Sequence, residues 1–143
     1  MFGGALGDLA TEPVDLDLNP GYKQFNSRYY PVPIINKETF LKDLKFLVEI
    51  VVITPVQQSQ YGTPVFVIPN KEGTVGFITN YHRLNHKLVR KPYPLPRIGE
   101  TMQQLEDFQY ETALDLNMGY YTIRLSPASQ DMTTIVTEFG KCG

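Results

Sequence analysis

Between residues 40 and 48 apolar side chains recur at three and four. Phe40, Leu41, Leu44, Leu47 and Val48 form one stripe, which predicts an amphipathic helix. Asn36 is a suitable N-cap for it and Glu38 falls in its first turn. Upstream, Val14, Leu16 and Leu18 alternate with Asp15, Asp17 and Asn19, the pattern of a short half-buried strand that Pro20-Gly21 ends as a turn. Pro31-Val32-Pro33 must be extended. Downstream, Val65-Phe66-Val67-Ile68 reads as a short buried strand. Asn70-Lys71-Glu72-Gly73 reads as a hairpin turn, and residues 74–79 as the returning strand. Residues 80–96 form a basic connector with prolines at 92, 94 and 96. Residues 97–107 should be helical, with Ile98, Met102 and Leu105 on one side and Pro96 suiting the start.

The last third predicts more sheet. Residues 110–116 read as a strand, which Asn117-Met118-Gly119 breaks. Residues 120–125 alternate, with Tyr121, Ile123 and Leu125 on one face. Ser126-Pro127 looks like the cap and first position of a short helical turn. Residues 133–139 read as a strand in progress, and Gly140-Lys141-Cys142-Gly143 as a turn with no closing element after it. Hairpins mixed with separate helices predict an α+β fold, not a doubly wound α/β one.

Composition narrows this only in places. A chain of 143 residues supports one domain with a modest core. With 42% hydrophobic and 20% charged residues it should be globular. A net charge of -2 and a pI near 5.6 give no global sign of nucleic-acid binding, so any basic surface must be local. The single cysteine, Cys142, excludes an internal disulfide and fits a reducing compartment. Residues 1–10 lack the basic start of a secretory signal. The most apolar run, residues 46–56, contains Glu49 and is too short to span a bilayer.

Five segments then follow in a fixed order. Ser59-Gln60-Tyr61-Gly62-Thr63-Pro64-Val65 precedes Ile68-Pro69-Asn70-Lys71-Glu72-Gly73, and Phe77-Ile78-Thr79-Asn80-Tyr81-His82-Arg83-Leu84-Asn85 comes next. Arg90-Lys91-Pro92-Tyr93-Pro94-Leu95-Pro96-Arg97-Ile98 leads to the last segment, Ala113-Leu114-Asp115-Leu116-Asn117-Met118-Gly119-Tyr120-Tyr121-Thr122-Ile123-Arg124-Leu125. In this order and spacing they resemble the fingers and early palm of reverse transcriptases, most like those of Ty3/gypsy-type LTR retrotransposons. The similarity covers roughly residues 31–143. It implies a polymerase fold truncated before the Tyr-x-Asp-Asp hairpin. In that reading residues 1–30 are an upstream segment, 31–90 fingers, 91–122 the first part of the palm, and 123–143 returning fingers strands.

The resemblance implies an RNA-directed DNA polymerase that uses Mg²⁺, a template-primer and a dNTP. Two metals would hold the attacking and leaving oxygens of the nucleotidyl transfer, and Mg²⁺ prefers carboxylate, phosphate and water oxygens. Asp115 matches the first catalytic carboxylate of the family and the backbone carbonyl of Leu116 a second metal ligand. On the residues alone, an acid inside an apolar strand is costly unless paired or metal-bound, and spacing by itself favours an exposed position on a half-buried strand; the surrounding motif favours the metal ligand. Met118 and Gly119 match the positions whose N–H groups face the triphosphate; such a strand break is more often a plain turn. Tyr120 matches the aromatic that excludes a ribose 2′-hydroxyl, with core packing as the commoner use of such a ring. Lys71, in the hairpin turn, could reach a γ-phosphate or simply be solvated.

Three charges of the family pattern are missing. The family usually has Arg at Gly76, Asp at Asn80 and Arg at His82. Glycine cannot replace a guanidinium clamp on a triphosphate. No Tyr-x-Asp-Asp occurs either, so one of three carboxylates is present and no polymerase activity is expected from these residues alone.

Template contact has a separate basis. His82, Arg83, His86, Lys87, Arg90, Lys91 and Arg97 form a basic stretch with Tyr81 and Tyr93 interleaved, suited to phosphates and stacked bases, or equally to a solvated connector. His82 and His86 are four apart without partner ligands, which argues against a zinc site. Three readings follow: part of a polymerase, a nucleic-acid-binding module without chemistry, or a decayed retroelement copy. By family habit the partners would be further palm, RNase H and integrase domains, and the location cytoplasmic particles.

Overall fold

A computed structural model describes residues 6–70, 75–104, 110, 112, 114–116 and 118–143. Its framework is one helix against a five-stranded sheet. The first helix, α1 (Lys37–Glu49), follows a 3-10 turn at Ile34–Asn36. Asn36 therefore starts already in a helical conformation, its N–H bonded to the Pro33 carbonyl at 2.8 Å, and its side chain makes no cap bond. The apolar stripe does what its spacing requires. Phe40, Leu44 and Leu47 are buried and Leu41 and Val48 half-buried. The helix closes in a Schellman motif: the Val51 N–H bonds Val48 O at 3.1 Å and the Val52 N–H bonds Leu47 O at 2.9 Å. This places Val51 at φ 59, a left-handed conformation unusual for a β-branched residue.

The strands are β1 (Pro55–Val56), β2 (Thr63–Pro69), β3 (Val75–Thr79), β4 (Ile135–Thr137) and β5 (Gly140–Cys142). Their order is β1-β5-β4-β2-β3. The two strands expected on either side of residues 70–73 pair as the hairpin β2–β3, with Val67 opposite Phe77; Lys71, Glu72 and Gly73 of the expected turn lie outside the described residues. β4 lies parallel to β2, Thr63 opposite Ile135, and antiparallel to β5. The expected terminal turn is thus a strand. The turn falls earlier, at Glu138 and Phe139, and β5 inserts between β1 and β4. Gly140 at φ 132 makes that reversal possible. Phe40 is the centre of the main core. Its ring stacks on Phe77 at 5.3 Å and meets Phe139 at 6.0 Å, with Val32, Val65, Val75, Ile135 and Cys142 around it.

The helix α2 (His82–Asn85) follows β3, α3 (Ile98–Gln104) follows the proline-rich connector, and α4 (Pro127–Met132) begins after Ser126 as expected. The strand expected at residues 110–116 falls partly on Glu111 and Ala113, which lie outside the described residues; its described residues join no strand. The strand expected at 120–125 does not form, and Gly119–Thr122 is a 3-10 turn. Only Leu125 pairs, as an isolated parallel bridge to Val14. Alternating apolar residues form a strand only where a neighbour offers its hydrogen bonds, and no described strand runs beside them. The strand expected at residues 14–18 likewise shrinks to bridges, Val14 to Leu125 and Leu18 to Leu88. On α3, Ile98 and Met102 are exposed, since no described element covers that face. Among the described residues no helix is long and apolar enough to cross a membrane.

Candidate functional site

The most developed polar surface lies where α2 meets the N-terminal segment. Leu84 points inward and is buried. Tyr81 also turns in: its hydroxyl donates to the Thr133 carbonyl at 2.9 Å, and burial pushes its pKa up to about 12. It is therefore a packing residue, not the base-stacking platform its place among cations suggested. With those two inside, His82, Arg83, His86 and Lys87 are left on the outer face, all exposed.

Opposite them stands an aromatic cluster that the sequence did not announce. Tyr22 and Tyr61 stack at 6.2 Å, and Phe25 meets both edge-on. The Arg83 guanidinium sits 4.7 Å above the Phe25 ring, a cation–π contact. Tyr22, Lys23 and Phe25 thus form one wall of a cleft, and His82, Arg83, His86 and Lys87 the other. The Tyr22 hydroxyl is buried without a hydrogen-bond partner among the described residues; burial, then the charge of Tyr61, raises its pKa, with Arg83 opposing. Residues 1–30 show no sustained periodicity, so nothing in the sequence could have paired Tyr22 and Phe25 with Tyr61.

The connector beyond α2 is tied down. Asn19 N–H bonds Lys87 O at 2.8 Å, Val89 N–H bonds Asp17 O at 2.8 Å, and Lys91 pairs with the Asp17 carboxylate at 2.6 Å. That pair raises the Lys91 pKa. Lys87, Arg90 and Arg97 are exposed and make no ion pair with a described residue, and Tyr93 is 79% exposed. These groups share one stretch of chain whose outer face carries positive charge although the chain as a whole does not.

The residues matched to polymerase chemistry are arranged differently. Asp115 is exposed and lies in no strand, between Leu114 and Leu116, which are exposed too. The desolvation cost that would have demanded a partner for it is absent. Met118 adopts a left-handed conformation, φ 53, and leads into the 3-10 turn; Tyr121 N–H bonds Met118 O at 2.9 Å. The turn folds Gly119 back on Leu116, where an added Cβ would approach the Leu116 Cβ at 3.1 Å. Tyr120 projects from it 93% exposed, so it is no core residue. Asp115, Leu116, Met118, Gly119 and Tyr120 thus share one exposed loop. Lys71 lies outside the described residues. Gly76 sits in β3 opposite Ile68, and the Asn80 side chain accepts from the His82 N–H at 3.3 Å.

No three His, Cys, Asp or Glu side chains among the described residues converge to hold a metal ion. A single exposed carboxylate does not fit the two-metal site of a polymerase. Cys142 is buried in β5 and burial raises its thiol pKa, so it is not a reactive nucleophile.

No family model matches the chain. Over 92% of its length it is 28% identical to the retrovirus-related Pol polyprotein from transposon 412 of Drosophila melanogaster. Over 80% it is 29% identical to that from transposon gypsy of the same organism. It spans 12% of the length of each. Among solved structures, the prototype foamy virus protease-reverse transcriptase superposes with a TM-score of 0.83 at 20% identity, over 99% of this chain and 19% of that one. The foamy viral protease-reverse transcriptase in complex with RNA/DNA hybrid superposes with a TM-score of 0.82 at 18% identity, over 99% of this chain and 19% of that one. The fold is that of reverse transcriptases.

Proposed function

We propose that this chain, a relative of retrotransposon Pol polyproteins with the reverse-transcriptase fold, is the fingers and early palm of an RNA-directed DNA polymerase and holds template-primer without performing chemistry by itself. The observation that carries the reading is the outward basic surface of α2 and the connector, on a fold whose relatives include one solved with an RNA/DNA hybrid. Lys87, Arg90 and Arg97 meet backbone phosphates, and Tyr93 offers an open ring for a base. β4 and β5 hydrogen-bond into the sheet of β2 and β3, which supports taking residues 123–143 with the fingers and 91–122 as the palm portion.

Catalysis needs more than this chain holds. In a longer polyprotein Asp115 would contribute one carboxylate and Leu116 its carbonyl to a Mg²⁺ site, and Tyr120 would face the sugar of the incoming dNTP. Lys71, Met118 and Gly119 would face its phosphates. Among the described residues no His, Cys, Asp or Glu cluster completes a metal site around Asp115, so only weak Mg²⁺ binding is expected. RNase H and integrase domains would be partners in the same polyprotein, in cytoplasmic particles.

The test is photo-crosslinking of a primer–template carrying 5-iodouridine, followed by mass mapping. Cross-links are expected in peptides covering residues 82–97, Tyr93 foremost. Cross-links confined to the exposed face of α1, or none at low salt, would overturn the assignment.

A further inference from the structure

His82, the first residue of α2, and His86, its C-cap, are closer than their spacing alone requires. Their Nε2 atoms lie 3.2 Å apart, with ring centroids at 4.4 Å and planes at 72°. The helical turn between them is formed, since the His86 N–H bonds the His82 carbonyl at 3.2 Å. Both rings are exposed at the mouth of the cleft. Two nitrogens on one tetrahedral zinc, at bonds of about 2.0–2.1 Å, stand about 3.3 Å apart. The nitrogens thus stand at the separation of a chelate's two donors, and a small turn of the exposed rings would aim both lone pairs at one ion. The contact is a hydrogen bond when one ring is the Nε2–H tautomer, and a metal ion would take the place of that proton.

We infer that His82 and His86 form a two-nitrogen chelate for a borderline divalent cation, Zn²⁺ or Cu²⁺, whose remaining positions are open to water or a phosphate oxygen. The site is not the closed four-ligand kind that the sequence argued against; it is an open one. Lys23, Arg83 and Lys87 line the same cleft. Their charge weakens the hold on a bare dication and favours an anionic ligand in the open positions. The chelate rests on imidazole geometry; only its placement on a nucleic-acid surface rests on the function proposed above.

The experiment is a zinc titration of the full chain against a chromogenic chelator, without nucleic acid. One saturable site per chain is expected, tighter for Cu²⁺ than for Zn²⁺ and weakened in acid because ligation needs neutral imidazoles. His82→Arg and His86→Gln should each lower the affinity about tenfold or more while the circular dichroism spectrum is unchanged, since both side chains are exposed. Cys142→Ser should bind as the native chain does. Either histidine variant binding like the native chain, or loss of binding only in Cys142→Ser, would overturn the site. Binding of primer–template in EDTA tests the function separately, so failure of one leaves the other readable.

Discussion

Neutralising Lys87, Arg90 and Arg97 together should abolish most of the salt dependence of nucleic-acid binding. The three side chains are exposed and unpaired with any described residue. Arg83 is engaged with the Phe25 ring, and Lys91 is held by Asp17. Three free cations give about three phosphate contacts, and so a slope of log K against log salt of about −2.7 on duplex. Between 50 and 200 mM salt, affinity for a primer–template should fall roughly 40-fold. Fluorescence anisotropy of a labelled primer–template, repeated across that range, reads the slope directly. The triple alanine variant should show a slope near zero. Asp17→Asn gives the opposite perturbation, because releasing Lys91 adds a contact and should steepen the slope by about 0.9. Lys91→Ala alone should change it little. A triple variant with the native slope would refute the reasoning, because the net charge of -2 leaves no diffuse positive field to supply the effect.

Phe40→Ala should cost about 3–5 kcal/mol in urea unfolding, against under about 1 kcal/mol for the half-exposed Phe46 of the same helix; equal costs would contradict the packing. A single cooperative transition in that experiment would also speak against a decayed, unfolded copy. Val51→Gly should stabilise the chain by about 0.5–1 kcal/mol, the left-handed strain removed less the entropy glycine brings, seen as a higher urea midpoint. Tyr81 keeps its proton to about pH 12 when folded, whereas the unfolded phenol loses it near 10. The stability this contributes is complete below pH 10 and lost as pH rises toward 12, about 2–3 kcal/mol in all. Tyr81→Phe should flatten that alkaline decline, and an unchanged decline would assign it to other groups. Gly76→Arg should fold, because an added Cβ would meet only the Ile68 carbonyl at 3.4 Å and looser neighbours. It should raise dTTP affinity about tenfold through a charge-assisted contact, measured by equilibrium dialysis, and an unchanged affinity would place position 76 away from the phosphates.

The sequence by itself determined the local elements whose signals are local. The apolar stripe of α1, the β2–β3 hairpin and the Ser126-Pro127 start of α4 each depend on residues a few positions apart, and each formed where the pattern put it. The ordered motifs also identified the polymerase fold. What required tertiary structure was every pairing between distant segments. β5 looked like a turn because three residues carry no strand signal until β1 and β4 stand on either side. Residues 120–125 looked like a strand because alternation describes a face and not a partner, and the one bridge available goes to Val14. Asp115 was expected on a strand for the same reason, and the exposed position that its spacing favoured is the one it has, on a loop. Conversely, Tyr22, Phe25 and Tyr61 gave no sign of meeting, and the histidines only a spacing of four; the fold alone brought the three rings together and set the two imidazoles 3.2 Å apart. Periodicity encodes which side of an element is apolar, whereas contact between elements depends on the path of the chain between them.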